Sequence, residues 1–107
     1  MICSFCPRPY DFDKDAIPAP YAHTNAMSDE VIFYASAEFM SRKGVSFGSI
    51  TLHPDGLTHG PQPGRTEASM GVKGTDELAV MLDTFKPLRV AKGVLVAEDP
   101  AYWRSWA

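Results

Sequence analysis

Hydrophobic and polar positions alternate over two stretches in the middle of the chain. In EVIFYAS, Glu30, Ile32, Tyr34 and Ser36 share one face of an extended strand, and Val31, Phe33 and Ala35 share the other. Both faces carry apolar groups, as in a strand inside a closed or two-layer β structure. In GSITLH, Ser49, Thr51 and His53 face one way, Ile50 and Leu52 the other. ELAVMLDTF is the strongest strand signal, closed by Pro87, and EFMSR is a further short candidate before a Lys43-Gly44 turn. Residues 60–76 read as a long polar loop rich in Gly and Pro. LRVAKGVLVAED is ambiguous between strand and helix, and Asp99-Pro100 predicts an N-cap and first turn for a short helix over PAYWRSW.

Before these strands lies an arm, residues 1–22, punctuated by Pro7, Pro9, Pro18 and Pro20. Proline fixes φ and removes ladder donors, so the arm is extended with at most short edge strands, anchored by Tyr10, Phe12, Ile17 and Tyr21. Short strands separated by Gly/Pro turns, with no βαβ rhythm, predict an all-β barrel or jelly roll. The expected division is one domain over 1–107, made of the arm at 1–22, a β core at 23–97 and a C-terminal helix at 98–107. A chain of this length buries roughly 60–70% of its unfolded surface, enough for a single core.

Composition excludes some partners. A net charge of −3 lacks the basic stripe that nucleic acid requires. No apolar run approaches ~18 residues, so no membrane span is expected. MICSFCPRP is too short for a signal peptide and has no basic n-region, which points to the cytoplasm. Cys3 and Cys6 form a lone C-x-x-C, without the second pair of a zinc ribbon or the βαβ setting of a redox motif, and read as reduced thiols.

All three histidines, His23, His53 and His59, fall within 37 residues of one another, counted inclusively from His23 to His59. Asn-Ala-Met-Ser-Asp supplies a turn after His23-Thr24-Asn25, so a hairpin would return Glu30 beside His23. Pro54-Asp55-Gly56 is a second tight turn, after which His59 begins the return. Two hairpins facing one another would then bring imidazole, carboxylate and imidazole together. Two histidines and one carboxylate with open positions suit non-heme Fe(II), and zinc, nickel or manganese can occupy the same ligands. His53, preceding the turn, reads as lining the pocket, and Asn25 as orienting a ligand or water.

This joint pattern resembles the cupin family. The first cupin motif is met by His23-Thr24-Asn25, four residues, Glu30 and six residues, with Ala37 where the motif has glycine; the second is matched throughout by Gly48, Pro54, Gly56 and His59. More narrowly, PYAHTNAMSDEV, EFMSRKG, GSITLHPDGLTHGP and ELAVMLDTFKPL look like the C-terminal part of homogentisate 1,2-dioxygenase and its bacterial relatives. The resemblance implies a cupin jelly roll (double-stranded β-helix) and an Fe(II) enzyme of tyrosine catabolism. Such an enzyme cleaves the ring of a small aromatic acid with O2, taking homogentisate to maleylacetoacetate. It also implies His23, Glu30 and His59 as metal ligands, His53 as a catalytic, substrate-contacting histidine, and Asn25 and Tyr34 at the substrate. Members of that family place the glutamate where this chain has Asp29, so Asp29 stands as the alternative ligand. They are also several times longer, and the chain reads as a fragment, its activity alone open to doubt. Trp103, Trp106 and the arm would then keep an apolar face to cover, and a homodimer or higher homo-oligomer is expected. The other reading is a non-catalytic cupin module that binds metal or a small molecule.

Overall fold

A computed structural model describes residues 1–36 and 39–107. Glycine is called for in the first cupin motif where Ala37 stands, a position outside the described residues, as is Glu38 at the start of the EFMSR candidate strand. Among the described residues the chain is a small β-rich domain. Its strands are β1 (Ile2–Phe5), β2 (Arg8–Pro9), β3 (Glu30–Tyr34), β4 (Ile50–His53), β5 (Gly74–Thr75) and β6 (Ala79–Asp83). Four of them form one antiparallel sheet in the order β1-β6-β3-β4, and β2 and β5 form a separate two-stranded ribbon. Neither sheet is closed on itself.

The alternation read in EVIFYAS and GSITLH sets the register. Glu30 pairs with His53 and with Asp83, Ile32 with Thr51 and Met81, and Tyr34 with Ala79. Directly opposed residues project to the same face. One face therefore carries Ile32, Tyr34 and Ala79, which are buried with Phe39 and flanked by Phe5, Val45 and Met81. The Phe39 ring meets Phe5 and Tyr34 edge-on, with centroids 5.3 and 5.0 Å away. Glu30, Thr51 and His53 lie on this same inner face, at the end of the sheet where the functional chemistry gathers.

Several expectations change. The two hairpins do not face one another: β3 and β4 are neighbours in a single sheet, and His23 meets His59 through an isolated antiparallel bridge beside it. Met40 to Arg42 form a turn and not a strand, because Met40 N–H is taken by Glu77 Oε2 and Arg42 N–H by the Phe39 carbonyl, leaving no ladder. The polar loop at 60–76 contains a short helix, α1 (Arg65–Ser69), and β5. The ambiguous segment LRVAKGVLVAED holds a 3-10 stretch, Lys92–Ala97, and the short helix expected over PAYWRSW is a 3-10 stretch, Tyr102–Trp106. The arm contributes an edge strand, β1, to the main sheet, and its Arg8 reaches Glu77, 1% exposed, with Nη2–Oε1 at 2.6 Å. Among the described residues no helix is long and apolar enough to cross a membrane.

Candidate metal centre

Two turns place the donors. Gly56 ends the Pro54-Asp55-Gly56 turn with φ +71°, a left-handed conformation that glycine adopts without strain, and its N–H donates to the Asn25 carbonyl at 2.9 Å. The returning strand then runs against residues 23–25. His23 N–H donates to the His59 carbonyl at 2.8 Å and His59 N–H to the His23 carbonyl at 2.9 Å. Thr24 and Thr58 join their hydroxyls at 2.9 Å. Gly60 lets the strands close up, because a Cβ there would lie 2.8 Å from Ala22 Cα.

His23, Glu30 and His59 each offer a ligand atom, and these atoms lie within 4.8 Å of one another. Glu30 and His59 are buried and His23 half-buried. His59 Nε2 stands 3.4 Å from Glu30 Oε2 and His23 Nε2 4.0 Å from the same oxygen. The tautomers follow from the other ring nitrogens. His23 Nδ1 sits 3.0 Å from the Tyr21 carbonyl and His59 Nδ1 3.1 Å from the Leu57 carbonyl. A carbonyl only accepts, so each Nδ1 carries a hydrogen, and the Nε2 of each ring is the atom left to bind a metal.

That arrangement leaves His59 Nε2 buried without a hydrogen-bond partner. Two lone pairs and a carboxylate oxygen pointed at one spot repel unless a cation sits between them. The donors fit such a cation. Two imidazole nitrogens and a carboxylate oxygen suit Fe(II), Zn or Mn, and backbone carbonyls hold the outer nitrogens as in other histidine-ligated sites. His23 stands furthest from Glu30 Oε2 and is the most exposed of the three.

Glu30 is held from behind. His53 Nδ1 donates to Glu30 Oε1 at 2.7 Å, and Arg42 Nη2 donates to His53 Nε2 at 3.3 Å. Arginine has no acceptor, so His53 is the Nδ1–H tautomer. Burial pushes the His53 pKa down, against the Glu30 hydrogen bond and with the Arg42 charge, and keeps the ring neutral. For Glu30, burial pushes upward, but the hydrogen bond and charge interactions of His53 and His59 outweigh it and hold the carboxyl at about 2. It is a carboxylate at any physiological pH.

A cavity of about 300 Å³ opens beside this cluster, with His23 and Glu30 in its wall alongside Arg42, Ile32, Phe39 and Met81. A larger hollow of about 700 Å³ lies by α1 and the β2–β5 ribbon and holds none of the three donors. It touches the smaller one at Arg8, Phe39 and Met40, and only the smaller one reaches the chemistry.

Asn25, expected to orient a ligand, has its Nδ2 3.5 Å from Glu30 Oε2. His53, read as lining the pocket, lies instead behind the carboxylate, 6% exposed, with both ring nitrogens engaged and no part in the cavity wall. Tyr34 is fully buried with its hydroxyl 3.0 Å from Thr51 Oγ1, and in this packing offers no surface to a substrate. Asp29 belongs to the scaffold. Its Oδ1 accepts Asp55 N–H at 2.8 Å and its Oδ2 Leu88 N–H at 2.5 Å, so both oxygens are spent on backbone away from the histidines.

Arg42 was not legible beforehand, because at the end of the EFMSR candidate strand, next to the Lys43-Gly44 turn, nothing marked it as buried. It is 5% exposed, donates to the Gly60 carbonyl at 2.7 Å, and lies 5.4 Å from the Trp106 ring. Its Nε is buried and unpartnered beside the cavity. Gln62, 1% exposed, ties this shelf to the C-terminal turn through Lys43 N–H and Ser105 Oγ.

No protein-family model matches the chain. The chain is 44% identical over 108 residues to a protein of Saccharolobus solfataricus named "Putative dioxygenase SSO1533". The match takes in 99% of this chain and 28% of that protein, so the chain spans little more than a quarter of its relative's length. The likeness is to a dioxygenase-like protein over one part of its length.

Proposed function

We propose that this chain is the metal-binding domain of a non-heme iron dioxygenase, with His23, Glu30 and His59 as the ligands. The observation that carries the reading is the buried, unpartnered Nε2 of His59, aimed with His23 Nε2 at one oxygen of Glu30. The named relative supports the dioxygenase class. The finer reading comes from the motif resemblance: a single cupin-type jelly-roll domain over 1–107, with its arm, core and terminal turn, and a reaction of the homogentisate 1,2-dioxygenase type. Homogentisate and O2 would combine to maleylacetoacetate, both oxygen atoms entering the product as one ring bond breaks.

Bound Fe(II) would supply Lewis acidity and one-electron chemistry at positions left open by three protein ligands. The chain's own residues do the rest. His53 locks Glu30 by one oxygen and leaves the other turned toward the histidines. Arg42 fixes the His53 tautomer and lends positive charge to the cavity wall, which favours an anionic substrate. Ile32, Phe39 and Met81 give an aromatic ring an apolar seat and limit water. Glu30 offsets only half the charge of a divalent ion, which favours an anionic substrate oxygen beside it. His53 is thus a positioning residue in this reading, with the substrate on the far side of the carboxylate.

A second reading is favoured by the share of the relative that is matched, 28%. In it the chain binds metal or a small molecule without turnover, because walls of the active site come from elsewhere. Elemental analysis of the purified chain, with O2 uptake on homogentisate, separates the two. Metal with turnover supports the first, metal without turnover the second. Undiminished metal in both Glu30→Ala and His59→Ala would remove the ligand assignment from each.

A further inference from the structure

The outward face of the four-stranded sheet is bare. Two rows cross it in register: Ile2, Leu82, Val31 and Leu52 in one, and Ser4, Val80, Phe33 and Ile50 in the other. Seven of the eight are apolar and none is charged. Ile2 and Ile50 are 72% and 65% exposed, and four more stand near 40%. Together these six leave on the order of 600 Å² of side chain to water, the top of the range for a single patch on a monomer.

We propose that a second copy of this chain covers this face, the two sheets packing face to face about a two-fold axis. A two-fold interface brings each patch against its own copy, so an unpaired charge within it would be buried against apolar side chains. This patch contains none, although the chain as a whole carries −3. Two such faces, fully covered, would bury up to about 1,200 Å², the lower bound for a specific interface. Twisted sheets stack at ~10 Å with aliphatic side chains interleaved, which Ile, Leu and Val on alternate positions provide. Of the residues expected to take part in association, Trp106 is taken up against Tyr102 and Arg42, whereas Trp103 and the arm's Phe12 and Tyr21 stay exposed apart from this face. Glu30 and His53 project from the opposite face, so the pairing leaves the metal cavity open and is independent of its function.

Sedimentation equilibrium of the chain from roughly 1 µM to 1 mM tests this. A dimer is expected, with Phe33→Lys and Val80→Lys each raising the dissociation constant at least tenfold, and Phe12→Lys and Val96→Lys, exposed elsewhere, leaving it unchanged. Isotope-filtered methyl contacts between labelled and unlabelled wild-type chains need no variant to fold. They are expected between the Ile50, Leu52 and Leu82 methyls of two copies. A monomer throughout, a dimer sensitive only to the control substitutions, or cross-chain contacts that avoid these methyls would overturn the proposal.

Discussion

Asp29 and Glu30 are adjacent carboxylates with opposite jobs, and exchanging each for its amide should separate them. In Asp29→Asn the carbonyl oxygen can still accept Asp55 N–H, but the amide nitrogen then faces the Leu88 N–H, donor against donor. The side chain is 4% exposed, so water does not repair the loss. A hydrogen bond to a charged acceptor is worth about 1.5–3 kcal/mol, and the orphaned Leu88 N–H adds about 1–3 kcal/mol. A total near 3 kcal/mol is a large share of a small domain's ~5–15 kcal/mol and lowers Tm by roughly 15 °C. Glu30→Gln is different. Its remaining oxygen keeps the His53 bond, burial of a charge is relieved, and metal-free stability should change by less than about 1 kcal/mol. Thermal unfolding of the metal-stripped variants and metal stoichiometry at low temperature read both effects. Asp29→Asn should melt early yet bind one metal, and Glu30→Gln should melt normally yet bind little. The reverse outcome, with Asp29→Asn losing metal at unchanged Tm, would refute the division.

Three further outcomes are expected. Gly60→Ala should cost roughly 1–3 kcal/mol, because its methyl meets Ala22 backbone at 2.8 Å, and should weaken metal binding by prying His59 from His23, read by titration calorimetry. Arg42→Met should lose about 2–4 kcal/mol by leaving the Gly60 carbonyl and His53 Nε2 unpaired; in a turnover assay it should raise KM for an anionic substrate more than for its amide. Burial raises the Tyr34 pKa above 10, with the Thr51 hydrogen bond opposing it. The unfolded chain therefore ionises first, stability falls as pH climbs beyond 10, and Tyr34→Phe should flatten that fall in urea melts at pH 9 to 11.

What was legible in the chain were the local periods. Two-residue alternation placed Glu30, Ile32 and Tyr34 on one face, and Pro54-Asp55-Gly56 announced the turn that returns His59. The trio was legible because its members flank those turns. What the pattern did not contain was which strand lies beside which. β3 pairs with β4 and β6 at once, contacts that join residues up to 53 apart, from Glu30 to Asp83, and their choice rests on packing and not on propensity. His53 shows the same limit. Parity gave its face, but only the Glu30–His53 register puts it behind the carboxylate. Arg42 left no mark at all, since nothing at the end of the EFMSR stretch foretells that Gly60 and Trp106 come to lie against it. The outer face was half visible: Val31 and Phe33 were seen as apolar, but a covering layer was assumed there.

Anomalous diffraction from crystals grown with Fe(II) bears most directly on the central assignment. One peak per chain is predicted, about 2.0–2.2 Å from His23 Nε2, Glu30 Oε2 and His59 Nε2, with His53 still bonded to the other oxygen. A peak at Asp29 or elsewhere, or these three side chains unmoved around no peak at saturating iron, would contradict it.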